Sequence, residues 1–132
     1  MSDTETDEEL AEIRADKREQ LETSAGDLDE PIHVDGETDL SAAIAEHDLL
    51  LVDFHADWCG PCQMMEPTLA ALAAETTATV AKVDVDANQD LAAQYNVRGI
   101  PLLLLFADGQ QVERLTGVQQ RETLDRLVEQ YG

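Results

Sequence analysis

Leu49-Leu50-Leu51-Val52-Asp53-Phe54-His55-Ala56-Asp57-Trp58-Cys59-Gly60-Pro61-Cys62 decides how this chain is read. From Leu49 to Phe54 every residue but Asp53 is apolar, and nothing alternates, as expected of a strand covered on both faces. Cys59 and Cys62 are the only cysteines in the chain. They stand three positions apart, where a helical stretch begins. A strand, a short turn and a helix opening on C-x-x-C read as a redox site.

The flanking sequence supplies a platform for that site. The helix after Cys59 carries Met64, Met65, Leu69, Leu72 and Ala73, with Pro67 expected to bend it. Met64 and Met65 read as core and rim packing. Thr79 to Val85 alternates, with Ala81, Val83 and Val85 on one face and Val80, Lys82 and Asp84 on the other. Leu91, Ala92 and Tyr95 give a short helix ending near Asn96. Ile100-Pro101 precedes a second buried strand, Leu102 to Phe106. Asp108-Gly109 is a hairpin turn, and Val112 to Thr116 returns as a charged edge strand. Leu124, Leu127, Val128 and Tyr131 repeat at i, i+3, i+4, i+7, a final amphipathic helix. Upstream, Pro31 to Val34 reads as a short edge strand, and Thr38 as the cap of a helix through about His47. The order is β-α-β-α-β-α-β-β-α: an α/β fold with a mixed sheet and helices on both faces.

Residues 1–30 read as a separate acidic extension, partly helical, and residues 31–132 as the folded domain. Thr6-Asp7-Glu8-Glu9 matches a capping box. Leu10, Ile13 and Leu21 make only a thin apolar stripe over a helix at about 7–22, and Ser24 to Asp27 breaks it. A solvated acidic arm is the expectation; a docking helix for a partner is the alternative.

Charge narrows the function. The chain has 29 acidic and 8 basic residues, net -21. Phosphate backbones would be repelled, so no nucleic acid is expected. Residues 1–40 hold 15 acids and 3 bases, net -12; residues 41–132 hold 14 and 5, net -9. An acidic tail would explain only the first segment. Acidity along the whole length, with Lys17 and Lys82 as the only lysines, suits a cytoplasm at molar salt, where screening shrinks to about 3 Å. No apolar run approaches the roughly 18 residues of a membrane span, and the start has no secretory h-region. A cytoplasmic protein without membrane contact is expected, in which two thiols are catalytic or metal-binding rather than a staple.

Taken together, these residues resemble the thioredoxin family. The resemblance runs from about Pro31 to the C-terminus. It includes Val52-Asp53-Phe54, Trp58-Cys59-Gly60-Pro61-Cys62, Pro67, Val80 to Asp86, Arg98-Gly99-Ile100-Pro101, Asp108-Gly109 and Gly117. Two positions depart: His55 stands where the family usually has an aromatic residue, and Gln63 where a basic one often follows. The resemblance implies the thioredoxin fold with a five-stranded sheet, and a monomer that reduces disulfides in client proteins. A separate reductase, flavin- or ferredoxin-dependent, would restore the dithiol. No bound cofactor or metal is expected beyond a redox-active Cys59–Cys62 disulfide. The resemblance also implies a cis peptide at Pro101 packed against that disulfide, and Lys82 on the strand beside Asp53.

Physical chemistry assigns roles within that frame. Cysteines at i and i+3 on a first helical turn can join with little backbone movement. Cys59, nearer the helix N-terminus, is favoured as thiolate and is expected to be the more exposed attacking nucleophile; Cys62 resolves. Gly60 and Pro61 limit the loop between them. Asp53 interrupts an apolar strand, and burial raises a carboxyl's pKa, which suits it to take the Cys62 proton. Lys82 is expected to pair with it; the bland alternative is a purely structural ion pair. Trp58 would wall the site, or else pack in the core. Gly99, Ile100, Pro101 and Gly117 would receive a client strand, or simply form turns. His55 would tune the thiols only if cationic; His33 and His47 read as surface residues. The competing functions are a disulfide oxidant or isomerase on the same scaffold, and a non-catalytic binding subunit docking through the arm. A zinc site lacks ligands, and covalent haem would need a His at Gln63.

Overall fold

A computed structural model describes residues 29–132; the expected N-terminal helix lies outside them. Five strands form one sheet: β1 (Ile32–His33), β2 (Leu49–His55), β3 (Thr79–Asp84), β4 (Leu102–Ala107) and β5 (Gln110–Thr116). Four helices join them: α1 (Glu37–Glu46), α2 (Gly60–Glu75), α3 (Gln89–Gln94) and α4 (Arg121–Tyr131). The spatial order is β1-β3-β2-β4-β5. β3 runs parallel to β1 and β2; β4 is antiparallel to both β2 and β5. This is the mixed five-stranded fold that the pattern of strands and helices implied.

The central position of β2 follows from its composition. Leu50, Val52 and Phe54 enter one core layer with Leu40 and Ala43 of α1 and Leu91 of α3. Leu49 and Leu51 enter the other, with Met65, Leu69 and Leu72 of α2 and Leu124 of α4. Each fully buried Leu contributes about 1.5–3 kcal/mol relative to exposure, so a strand that is apolar on both faces settles between two helical layers. Asp53 is the exception, at 0 % exposure. Its register partners are Lys82 on β3 and Leu103 on β4.

Several local expectations are corrected. Thr38 does not cap α1. The cap is Gly36, at φ 90 and without a side-chain cap bond, and its N–H donates to Asn88 Oδ1 at 2.7 Å. Asn88 thus holds the N-cap residue from a distance, while locally the Asp35 N–H donates to Asp39 Oδ2 at 2.9 Å. Met65 is buried, but Met64 is 69 % exposed: adjacent positions on a helix point about 100° apart, and here it is Met65 that faces the core. β5 begins directly after a two-residue turn in which Asp108 and Gly109 have φ 51 and 85, the paired positive values of a hairpin turn that matches strand twist. Among the described residues no helix is long and apolar enough to cross a membrane.

Candidate functional site

The site forms where β2 hands over to α2. Cys59 is the N-cap of α2, and its Sγ accepts the Cys62 N–H at 3.2 Å. The Cys59 N–H donates to the Ala56 carbonyl at 3.2 Å, and its own carbonyl accepts from Gln63 N–H at 3.1 Å. Pro61 sits in the first turn, where an N–H has no helical partner to lose. Cys59 and Cys62 are joined in a disulfide with Cα atoms 5.2 Å apart, an ordinary span for such a bond.

The expected contrast in exposure is slight: Cys59 is 4 % exposed and Cys62 2 %. Both sulfurs pack with Ala56, Val85 and Ile100. The accessible part is the rim around them, where Gly60, Pro61 and Gly99 are exposed. Trp58 is 70 % exposed, which excludes core packing; its indole Nε1–H donates to Asp86 Oδ2 at 2.8 Å.

Across the disulfide lies the loop before β4. The Ile100-Pro101 bond is cis, and the Ile100 carbonyl oxygen lies 3.8 Å from Cys59 Sγ. A disulfide has no proton to give; a Cys59 thiol would. Gly117, at φ 88, donates its N–H to the Pro101 carbonyl at 2.8 Å, so the loop after β5 braces the loop before β4. A Cβ on Gly60 or Gly99 would meet no atom within 4 Å; the fold itself does not require glycine at either place. Gln119 N–H donates to the buried Met65 Sδ at 3.3 Å, tying the same loop to α2.

Beneath α2, Asp53 Oδ2 accepts from Lys82 Nζ at 3.2 Å, while among the described residues Oδ1 has no hydrogen-bond partner. Burial holds this carboxyl above its ordinary range. Lys82 opposes that by charge and hydrogen bond, His55 opposes it more weakly, and Glu66 adds to it. Lys82 Nζ also lies 3.9 Å from Glu66 Oε2 on α2. Sequence reading missed Glu66, Asp86 and the Met65–Gln119 contact. Only Glu66 left a trace, since Cys62 and Glu66 share a helical face at i, i+4. His55 is half-buried at the end of β2, Gln63 Nε2 donates to the Asp57 carbonyl at 2.8 Å, and His47 lies half-buried against Thr79 Oγ1.

Open clefts of about 460 and 450 Å³, lined around Asp35–Asp90 and around His47–Tyr131, lie away from the disulfide. The chemistry argues for the disulfide instead: an exposed rim over sulfur suits a macromolecular partner better than an enclosing pocket does. Among the described residues no group of three or more His, Cys, Asp or Glu is arranged to hold a metal.

Comparison with known proteins places this geometry. The thioredoxin family model matches residues 31–130. A thioredoxin of Chlamydia trachomatis is 48 % identical over 84 residues, covering 63 % of this chain and 82 % of that one. The solved structure of a point mutant of the thioredoxin from Halobacterium salinarum is 54 % identical with a TM-score of 0.77, covering 79 % of this chain and 92 % of the other. Mitochondrial thioredoxin 3 from Saccharomyces cerevisiae, in its oxidised form, is 30 % identical with a TM-score of 0.69, covering 81 % and 99 %.

Proposed function

From the premise that the chain belongs to the thioredoxin family and is a protein-disulfide reductase, we propose how its own residues divide the reaction. Cys59 is the nucleophile. At the N-cap of α2 its sulfur faces the unpaired N–H groups and positive end of the helix dipole, which favour thiolate. The thiolate attacks one sulfur of a client disulfide. A Cys59–client bond forms, the client S–S bond breaks, and the displaced client thiolate takes a proton from water. The Asp53 carboxylate then accepts the Cys62 proton. The Cys62 thiolate attacks Cys59 Sγ, closing the Cys59–Cys62 disulfide and expelling the second client thiolate. Two electrons pass to the client, and a separate reductase, flavin- or ferredoxin-dependent, returns them.

Lys82 keeps Asp53 from being lost as a base by pairing with its anion. Trp58, Gly60, Pro61, Gly99, Ile100 and Gly117 form the rim on which a client backbone lies, with the Ile100 carbonyl as a strand-pairing group and the buried Pro101 beneath it. The acidity of the whole chain and its likeness to the Halobacterium salinarum protein support a high-salt cytoplasm as its setting.

The observation that carries this reading is the Cys59 sulfur, capping α2, bonded to Cys62 and facing the Ile100 carbonyl. The test is reduction of a model disulfide protein by the dithiol form in high salt. Cys62→Ser is expected to stop at a stable mixed disulfide through Cys59, and Cys59→Ser to form no adduct. The opposite pattern would reverse the two assignments.

A further inference from the structure

Lys82 stands between two carboxylates of opposite situation. Asp53 is fully buried, with one oxygen unpartnered and the other 3.2 Å from Nζ. Glu66, four residues past Cys62 on α2, is 59 % exposed, with Oε2 3.9 Å from the same Nζ. The Lys82 side chain is only 9 % exposed, so its ammonium sits at the boundary between the buried acid and water. We propose that Glu66 is a positioning residue that draws the Lys82 ammonium toward solvent and so loosens its hold on the Asp53 carboxyl, keeping Asp53 a competent acceptor for the Cys62 proton. The proposal rests on the reading of Asp53 as that acceptor.

Electrostatics gives the sign. A carboxylate gripped by a cation stays ionised but is a weak base; one with no cation in a dry site does not ionise near neutrality. Glu66 shares the cation and adds a like charge, and both effects favour the protonated form of Asp53. The groups facing Asp53 are few. On β3 there is Lys82, on α2 Glu66, and on β2 itself His55; β4 offers the neutral Leu103. Glu66 is the exposed carboxylate among them, so it can be changed without opening the core.

The experiment is titration of the Asp53 carboxyl by carbon NMR in the disulfide form, where neither thiol titrates, for wild type, Glu66→Gln and Glu66→Asp. Glu66→Gln keeps the shape and removes the charge. Its Asp53 midpoint should fall by about 0.2–0.7 pH unit, the shift an exposed pair of this kind supports. Glu66→Asp should restore part of the difference. An unchanged or raised midpoint in Glu66→Gln overturns the proposal. A second measurement separates it from its premise: the pH profile of client release from the mixed disulfide, with Cys62 intact. If the Asp53 midpoint falls and the release profile moves with it, both stand. If the midpoint falls and the release profile stays fixed, Glu66 controls Asp53 as inferred, and Asp53 is not the proton acceptor.

Discussion

Replacing Lys82 with Met tests the buried ion pair that the rest of the site relies on. Met keeps most of the unbranched stem and removes the charge. Asp53, already with one oxygen unpartnered, then loses the contact at 3.2 Å to the other. At an effective dielectric near 20 that contact is worth about 5 kcal/mol, and loss of one partner from buried pairs costs about 3–5 kcal/mol in general. Protonation of Asp53 limits the damage. A carboxyl forced neutral on folding costs about 1.4 kcal/mol for each pH unit above its ordinary pKa. The loss therefore cannot exceed about 1.5 kcal/mol at pH 5, whereas at pH 7.5 the same ceiling is about 5 kcal/mol. The sign follows: the folded variant binds a proton that its unfolded chain has released, so its stability falls as pH rises. Chemical denaturation of wild type and Lys82→Met at pH 5 and pH 7.5 should show a gap that widens with pH but stays below that ceiling, because wild-type Asp53 is itself held above its ordinary range and carries part of the same cost. A gap that is the same at both values, or wider in acid, would refute the argument that Lys82 serves a buried carboxylate.

Two further outcomes follow from the same charges. Asp53 is held above its ordinary range, so the wild-type fold loses stability as pH rises from about 4 through the folded pKa. Asp53→Asn should flatten that decline and be relatively more stable at pH 8 than at pH 4, while client release slows; denaturation against pH and stopped-flow release check each half. With net charge -21, raising KCl from 0.1 M to 2 M shortens the screening length from about 10 Å to under 3 Å. The thermal midpoint should rise steadily over that range, and a flat response would remove self-repulsion as a determinant of stability.

What the sequence disclosed and what it withheld divide along a physical line. β2 was legible because a run of six with one polar residue has few places to go except the middle of a sheet. α4 was legible because four apolar residues at helical spacing define one face. The Asp108-Gly109 turn was legible because few residue pairs accept positive φ twice in succession. The start of α1 was not. Its N-cap is Gly36, whose N–H is held by Asn88 52 positions away, and no local pattern reports such a contact. Met64 was misplaced for a related reason: an apolar residue beside a buried one is ambiguous until the helix phase is fixed by what lies beneath.

The site divides in the same way. Cys59, Cys62 and Asp53 stand out because each violates its surroundings: two thiols in a chain with no others, and a charge inside an apolar strand. Lys82 became readable only through the strand order that the family resemblance implied, since it lies 29 residues from Asp53. Glu66 and Asp86 were hidden because each is one acid among 29, and an exposed carboxylate in so acidic a chain carries no signal of its own. Only placement distinguishes them: Asp86 against the indole of Trp58, and Glu66 against an ammonium already committed to a buried acid. In a chain this acidic, a place beside one of the few cations or donors is what sets one carboxylate apart from another, and Lys82, the only lysine after residue 17, marks where to look.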